Sequence, residues 1–434
     1  MRKDKTKMMK TYEHTKSHEW YERAVEVIPG GVYGHLGPAE GCFMPISAYP
    51  LFASKAQGAY FWDVDGNKYV DMMCAYGPMI LGYNDPDVDK AVSEQAKILN
   101  CAVQPGTIMV DLAELMVDTV EMADWAFFAK NGGDATNYAL MVARAATGRD
   151  KFIAINGGYH GVIGWTQGWG APGVGKKEVE DKLLVDWGDT AAVERLAAEY
   201  KGEIAAFIAT PYHHPVFEDN VLPPAGYWNK IRSICDREGI VLIVDDVRCG
   251  WRLDIKGSDY HYGFKADLEC FCKAIANGHN ISAVTGIESL KDAAASVMCT
   301  GSYWMSAPPM AAAIACITKM REIDAAKICH DNGVKVIERL TEVAKHHGFD
   351  YHFSGEPALL FHQIRGLDGK ADPNLLLHQA YVGECVKRGV FMTNHHNHFM
   401  NTALTDKDID FIADVADEAM GVVKNKSREI LAQA

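Results

Sequence analysis

Between about residues 124 and 290 the chain alternates short apolar runs with helical patterns: WAFF (125–128), FIAI (152–155), AAFIA (205–209), IVLIV (240–244), LECFC (268–272) and AVTGI (283–287). Most runs lack polar alternation, the signature of strands buried on both faces of a mostly parallel sheet with helices on either side. Within residues 130–151, Ala135, Tyr138, Ala139, Val142, Ala143 and Ala146 recur at helical spacing, with Asp134 placed to cap the start and Gly148 the end. Upstream, GAYFWDVDGNKYVD (58–71) flanks Asp65-Gly66 with two β-rich runs and predicts a hairpin. Its Asp-x-Asp spacing makes no calcium loop, because Lys68 stands where an EF-hand needs Gly. A long helix over 307–325, then helix, short strands and a final helix at about 406–432, predict a smaller α+β unit. The expected organisation is an N-terminal arm and hairpin region (1–75), a large α/β domain (76–316) and a C-terminal small domain (317–434).

At 434 residues the chain is long enough to bury a substantial core, and its 48% hydrophobic and 23% charged content sets disorder aside. The formal charge of −14, with basic residues spread along the chain, argues against nucleic acid and anionic membrane and leaves a small molecule as partner. Eleven cysteines without a C-x-x-C motif read as free thiols in a reducing cytoplasm. The basic start MRKDKTKMMK is not followed by the apolar core of a signal peptide, and no stretch approaches the roughly 18 to 20 apolar residues of a membrane span. A soluble, cytoplasmic protein is expected.

Asp245 ends the apolar run GIVLIV and is followed by Asp246, at the carboxyl end of a buried strand, where open α/β sheets bind ligands. A carboxylate there can pair with a protonated pyridine nitrogen and make the ring an electron sink; the alternative is that both acids cap the next turn. Lys273 follows another apolar run. Burial lowers an amine's pKa toward the neutral form that attacks an aldehyde, although a lysine can also snorkel from a strand end. Gly132 and Gly133 precede a helix whose exposed amides and dipole suit a phosphate. Tyr159 in GGYHG can stack on an aromatic ring, and Ser302 in TGSYW can donate a hydroxyl to phosphate; packing and capping are the alternatives.

Together these segments resemble the class III aminotransferases, a family of pyridoxal-phosphate (PLP) enzymes, and especially its glutamate-1-semialdehyde aminomutase-like branch. GAYFWDVDGNKYVD and YGPMILGYNDPDV resemble the family's N-terminal signature, NGGDAT…ARAATGR its phosphate segment and YHG its ring-stacking segment. IVDDVRCGWR resembles the D-E-V-x-x-G-F-R motif and ADLECFCKAIANG the lysine motif. The likeness covers nearly the whole chain and implies an α/β fold of the PLP-dependent transferase type (fold type I, aspartate aminotransferase-like). It implies that Lys273 binds PLP as a Schiff base and shuttles a proton, and that Asp245 pairs with the pyridine nitrogen. Val247 and Tyr159 would sandwich the ring, while amides around Gly132, Gly133 and Asp134 would hold the phosphate. Ser302 takes the place of a family Thr that reaches the neighbouring subunit's phosphate, which implies a homodimer with shared active sites. The implied substrates are a small-molecule amine and a keto acid.

Some residues depart from the family. Asp246 replaces the usual Glu, Ser302 lacks the Thr methyl, and Asp134 stands where many members carry Ser or Thr; its carboxylate is expected to turn back and cap the helix. PGGVYGHLGP places Gly37 or a neighbour where the aminomutase has an Arg, and His396 aligns with the aminomutase's gating Glu. These losses favour transfer of an amino group between two molecules. The alternatives are an aminomutase-like intramolecular shift and a non-catalytic PLP-fold protein. For the substrate, Arg248 or Arg252 can bind a carboxylate, or Tyr76, Trp165, Tyr303 and Trp304 can form an aromatic pocket for a β- or ω-amino compound. GAPGVGKK (170–177) fails as a P-loop at Lys177 and is expected to be a mobile loop near the site entrance. NHHNH (394–398) lacks acidic or Cys partners at ligand spacing, so it is expected at the pocket rim with no metal.

Overall fold

The computed structural model describes residues 9–32, 49–168 and 170–432. The expectation placed at Gly37 lies outside the described residues. The central sheet has seven strands: β1 (Trp125–Ala129), β2 (Lys151–Ile155), β3 (Lys182–Val185), β4 (Ile204–Ala209), β5 (Val241–Asp245), β6 (Leu268–Phe271) and β7 (Ser282–Gly286). Their order is β1-β7-β6-β5-β4-β2-β3. Neighbours from β6 to β3 pair in parallel, and β7 runs antiparallel between β1 and β6. β4, β5, β6 and β7 are buried along their whole length, which is why their sequences show no polar alternation. The strand β3, KLLV, escapes sequence reading because it is a four-residue edge strand with only Val185 buried.

Helices cover both faces of the sheet, and the two-residue strand period sorts the side chains between them. On one face, Ala206, Ile208, Val241 and Ile243 pack with Ala135, Ala139, Val142 and Ala143 of helix α1 (Gly132–Thr147). On the other, Phe207, Ala209 and Leu242 pack with Trp228, Ile231 and Ile234 of helix α2 (Tyr227–Glu238). Gly148 closes α1 with φ 67°, as expected. The start of α1 corrects the sequence reading: Asn131 is the cap residue and Asp134 lies three positions into the helix. The Asp134 carboxylate nevertheless turns back, accepting the Asn131 N–H at 2.8 Å.

The hairpin strands Tyr60–Asp63 and Lys68–Asp71 pair antiparallel, with Gly66 at φ 88° in the turn. They belong to a four-stranded sheet with Ala53–Gln57 and, from the far end of the chain, Val390–Phe391, which runs parallel to Lys68–Asp71. A helix over Ala307–Ile323 ends at Asp324 (φ 53°), and helix Ala325–His347 begins there. The strands Phe349–Ser354, Phe361–Leu367 and Lys370–Ala371 form a third sheet, and helix Asp406–Leu431 follows. Among the described residues no helix is long and apolar enough to cross a membrane.

Candidate active site

Five loops that leave the same edge of the central sheet converge on one cavity of about 330 Å³. Asn131–Asp134 follow β1, Tyr159–Ile163 follow β2, Thr210 follows β4, Asp245, Val247 and Arg248 close β5, and Cys272–Lys273 follow β6. This is the carboxyl edge of the parallel strands, where no side chain continues the sheet and the loops can build a binding surface. The structure therefore brings together Gly132, Gly133, Asp134, Tyr159, Asp245, Val247, Arg248 and Lys273.

Lys273 sits at φ 42°, a left-handed conformation that a lysine adopts only when its surroundings hold it there. Its Nζ donates to the carbonyl of Tyr76 at 2.8 Å. That carbonyl comes from a second strained segment, in which Cys74, Ala75 and Tyr76 have φ of 47°, 54° and 63° in succession. Burial, helped by the positive charge of Arg248, holds the Lys273 amine down to about 7. About half of the amine is then neutral at neutral pH, as a nucleophile toward an aldehyde requires.

Asp245 is buried at the floor of the cavity with both oxygens held: Oδ2 accepts from His160 Nδ1 at 2.7 Å and Oδ1 from the Val247 amide at 3.1 Å. His160 escaped the sequence reading although it lies inside the quoted YHG segment. The signal was available, because a buried carboxylate needs donors and a neighbouring imidazole can supply one.

Those residues fit pyridoxal phosphate. In the first turn of α1 the Gly132 and Gly133 amides precede the first helical bond, that of the Asp134 amide to the Asn131 carbonyl at 3.1 Å, and amides so placed at the cavity wall suit a phosphate. Tyr159 is 53% exposed and lines the cavity, where its ring can stack on another, and Val247 offers an apolar surface in the same cavity. The backbone also approaches itself closely here: a Cβ on Gly161, at φ 120°, would lie 2.7 Å from the Gly133 Cα. Only glycine fits at that position, and it keeps the loop after β2 tight against the start of α1.

Other expected residues lie elsewhere. Ser302 is exposed and Trp304 packs edge-on against Phe127 at 5.9 Å, both outside the cavity lining of this chain. Tyr303 is exposed and Trp165 is buried against Phe152, so the aromatic pocket is not assembled within one chain. Arg252 is buried, donates to the Gly77 carbonyl and lies 5.2 Å over the Phe399 ring, a structural placement. The NHHNH stretch is a correction: residues 394–398 are buried and are not among the residues that line the cavity, although Asn397 accepts from Arg248. His396 meets Tyr76 edge-on at 5.0 Å, and burial holds its imidazole well below the ordinary value.

A family model described as aminotransferase class-III matches residues 44–402. The aminopentol aminotransferase of Sphingopyxis macrogoltabida is 37% identical over 412 residues, 94% of each chain. The glutamate-1-semialdehyde 2,1-aminomutase of Chlorobium phaeovibrioides is 37% identical over 293 residues, 64% of this chain and 66% of that one. The FumI protein of a Sphingopyxis species, solved in its PLP internal aldimine form, superposes with a TM-score of 0.91 at 35% identity, over 95% of this chain and 98% of that one. The fold is that of the PLP-dependent transaminases, with a mostly parallel central sheet.

Proposed function

The chain belongs to the class-III aminotransferase family, and from that footing we propose that Lys273 and Asp245 are the side chains that carry out its amino transfer. It is a PLP-dependent aminotransferase whose substrates are an amine and a keto acid. When bound, PLP supplies an aldehyde that takes up an amino group and a cationic ring that stabilises negative charge on the substrate carbon. Lys273 Nζ, partly neutral near pH 7, is the base that takes a proton from that carbon and returns it, with the Tyr76 carbonyl stabilising its charged form. Asp245, fixed by His160 and the Val247 amide, presents a charge that needs no reorientation. Amides at Gly132, Gly133 and Asp134 receive the phosphate, and Tyr159 and Val247 flank the ring. The observation that carries the proposal is the opening of the Lys273 amine and the Asp245 carboxylate into one cavity.

Borohydride reduction of the holoenzyme should leave the cofactor covalently attached to the peptide containing Lys273. A Lys273→Ala protein that still carries reducible, covalently attached cofactor would refute this assignment.

The proposal includes a homodimer in which Ser302 reaches the site of its neighbour. Its support is an exposed apolar surface: Ile98, Val103, Met298 and Tyr303 are each more than 70% exposed. They lie on two segments joined by the Ala307 N–H to Asn100 carbonyl bond of 2.9 Å. We also place domain divisions near residues 75 and 316, supported by the passage from the central sheet to the third sheet through helices Ala307–Ile323 and Ala325–His347.

A second reading, the intramolecular amino shift, is favoured by the 37% identity to aminomutases. Against it, no Arg or Lys stands between Pro29 and Ser54, and His396 occupies the place of the gating Glu. A product isomer formed without any co-substrate distinguishes the shift from transfer.

A further inference from the structure

We propose that Arg248 anchors the carboxylate of the amino acceptor, which makes the acceptor a short keto acid with a single carboxylate; this rests on the aminotransferase reading above. Arg248 stands in the loop after β5 and opens into the same cavity as Lys273. One Nη donates to Asn397 Oδ1 at 3.0 Å, and Asn397 is itself buried. The guanidinium is thereby held on one edge with its remaining donors uncommitted to any acid. Among the described residues no carboxylate forms an ion pair with it. Asp245, at the end of β5, is already engaged by His160 and the Val247 amide, and Asp246 is engaged by Ser258.

Asp245 is the charged acid near Arg248, but it acts on it without an ion pair, and burial outweighs that attraction. His214 and His396 are buried imidazoles kept well below their ordinary pKa by burial and by the Arg248 charge itself. Tyr159, Tyr212 and Cys249 complete the surroundings as neutral groups. A desolvated cation with no carboxylate in direct contact is costly unless a ligand supplies one, and the planar fork of Arg matches a carboxylate. Among the described residues lining the cavity, the other Lys or Arg is Lys273, which the aminotransferase reading commits to the cofactor, and the imidazole of His160 is engaged by Asp245. Residues 33–48, outside the described structure, contain no Arg or Lys to supply a second anchor. Within one chain, a dicarboxylate acceptor would therefore bring one carboxylate without a cationic partner.

The test uses holoenzyme first converted to its aminated form with an amine donor. It is mixed with pyruvate, with pyruvamide as the uncharged isostere, or with 2-oxoglutarate, and the return of the cofactor absorbance is followed. Wild-type enzyme should prefer pyruvate to pyruvamide by about 100-fold in kcat/KM, as a buried charge pair implies. In Arg248→Met that preference should collapse to below about fivefold, with Arg248→Lys intermediate because it keeps the charge but not the fork. Pyruvate should also exceed 2-oxoglutarate by about tenfold or more. A wild-type preference for pyruvate over pyruvamide below about fivefold overturns the proposal without any variant having to fold. So does an Arg248→Met enzyme that retains the preference, and 2-oxoglutarate used as well as pyruvate overturns the single-carboxylate assignment. Failure of the underlying aminotransferase reading looks different, since then no acceptor, charged or uncharged, restores the absorbance.

Discussion

Replacing His160 with phenylalanine keeps an aromatic ring against Trp165 while deleting the Nδ1–H that holds Asp245 Oδ2 at 2.7 Å. Both side chains are almost fully buried, at 5% and 4% exposure, so water does not readily replace the lost donor. A hydrogen bond to a charged group contributes about 1.5–3 kcal/mol, which corresponds to roughly 10- to 150-fold in an equilibrium or rate constant. The Val247 amide still holds the other oxygen at 3.1 Å, which places the expected loss toward the lower end. PLP affinity of the apoenzyme, measured by absorbance titration, and the rate of the amine half-reaction should both fall by about 10- to 30-fold. His160→Asn puts an amide N–H near the position of Nδ1 and should recover most of the loss, which distinguishes positioning of the carboxylate from simple packing. If the phenylalanine variant stays within twofold of wild type, or the asparagine variant is as impaired as the phenylalanine one, His160 does not position Asp245.

Gly161→Ala should weaken PLP binding by at least about tenfold, since overpacking and strain each cost about 1–3 kcal/mol and both act where the loop after β2 meets the start of α1. Gly133→Ala, whose Cβ would meet Gly161 Cα at an ordinary 3.6 Å, should be milder in the same titration, and the reverse order would contradict the geometry. The buried His378 has its pKa held down to about 4 by burial, below the ordinary 6.5. Its unfolded form binds the proton first, so its stability contribution is complete above pH 6.5 and is lost as pH falls toward 4, about 3 kcal/mol in all. Asp246 and Asp259, raised to about 7 and about 6 by burial, act in the opposite sense and lose their contribution as pH rises. The effect of His378 is therefore read by comparison: urea unfolding of His378→Gln across pH 4 to 6.5 should depend on pH by about one proton less than wild type, and identical slopes would contradict it.

Much of the cavity was legible in the sequence because each part is a local signal. Asp245 and Lys273 stand out as charged residues terminating apolar runs, and Gly132-Gly133 as a break before a helical repeat. Strands buried on both faces are conspicuous for the same reason. The edge strand β3 was not, because a strand with one neighbour needs few buried side chains. The placement of Asp134 was off by one role: its carboxylate turns back as expected, but onto a helix capped by Asn131.

The sequence by itself determined the buried strands of the sheet, their carboxyl edge and the candidate pair of Asp245 and Lys273, since strand burial, helix spacing and turn chemistry are encoded within a few residues of one another. Only the tertiary structure decided which side chains serve that pair. The pairing of His160 with Asp245 spans 85 positions and that of Arg248 with Asn397 spans 149, distances over which no sequence period operates. It also withdrew the histidines of 394–398 from the cavity surface and placed Ser302 outside its own chain's site. Such outcomes depend on how separate elements pack, where desolvation and charge are shared among residues that the chain holds far apart.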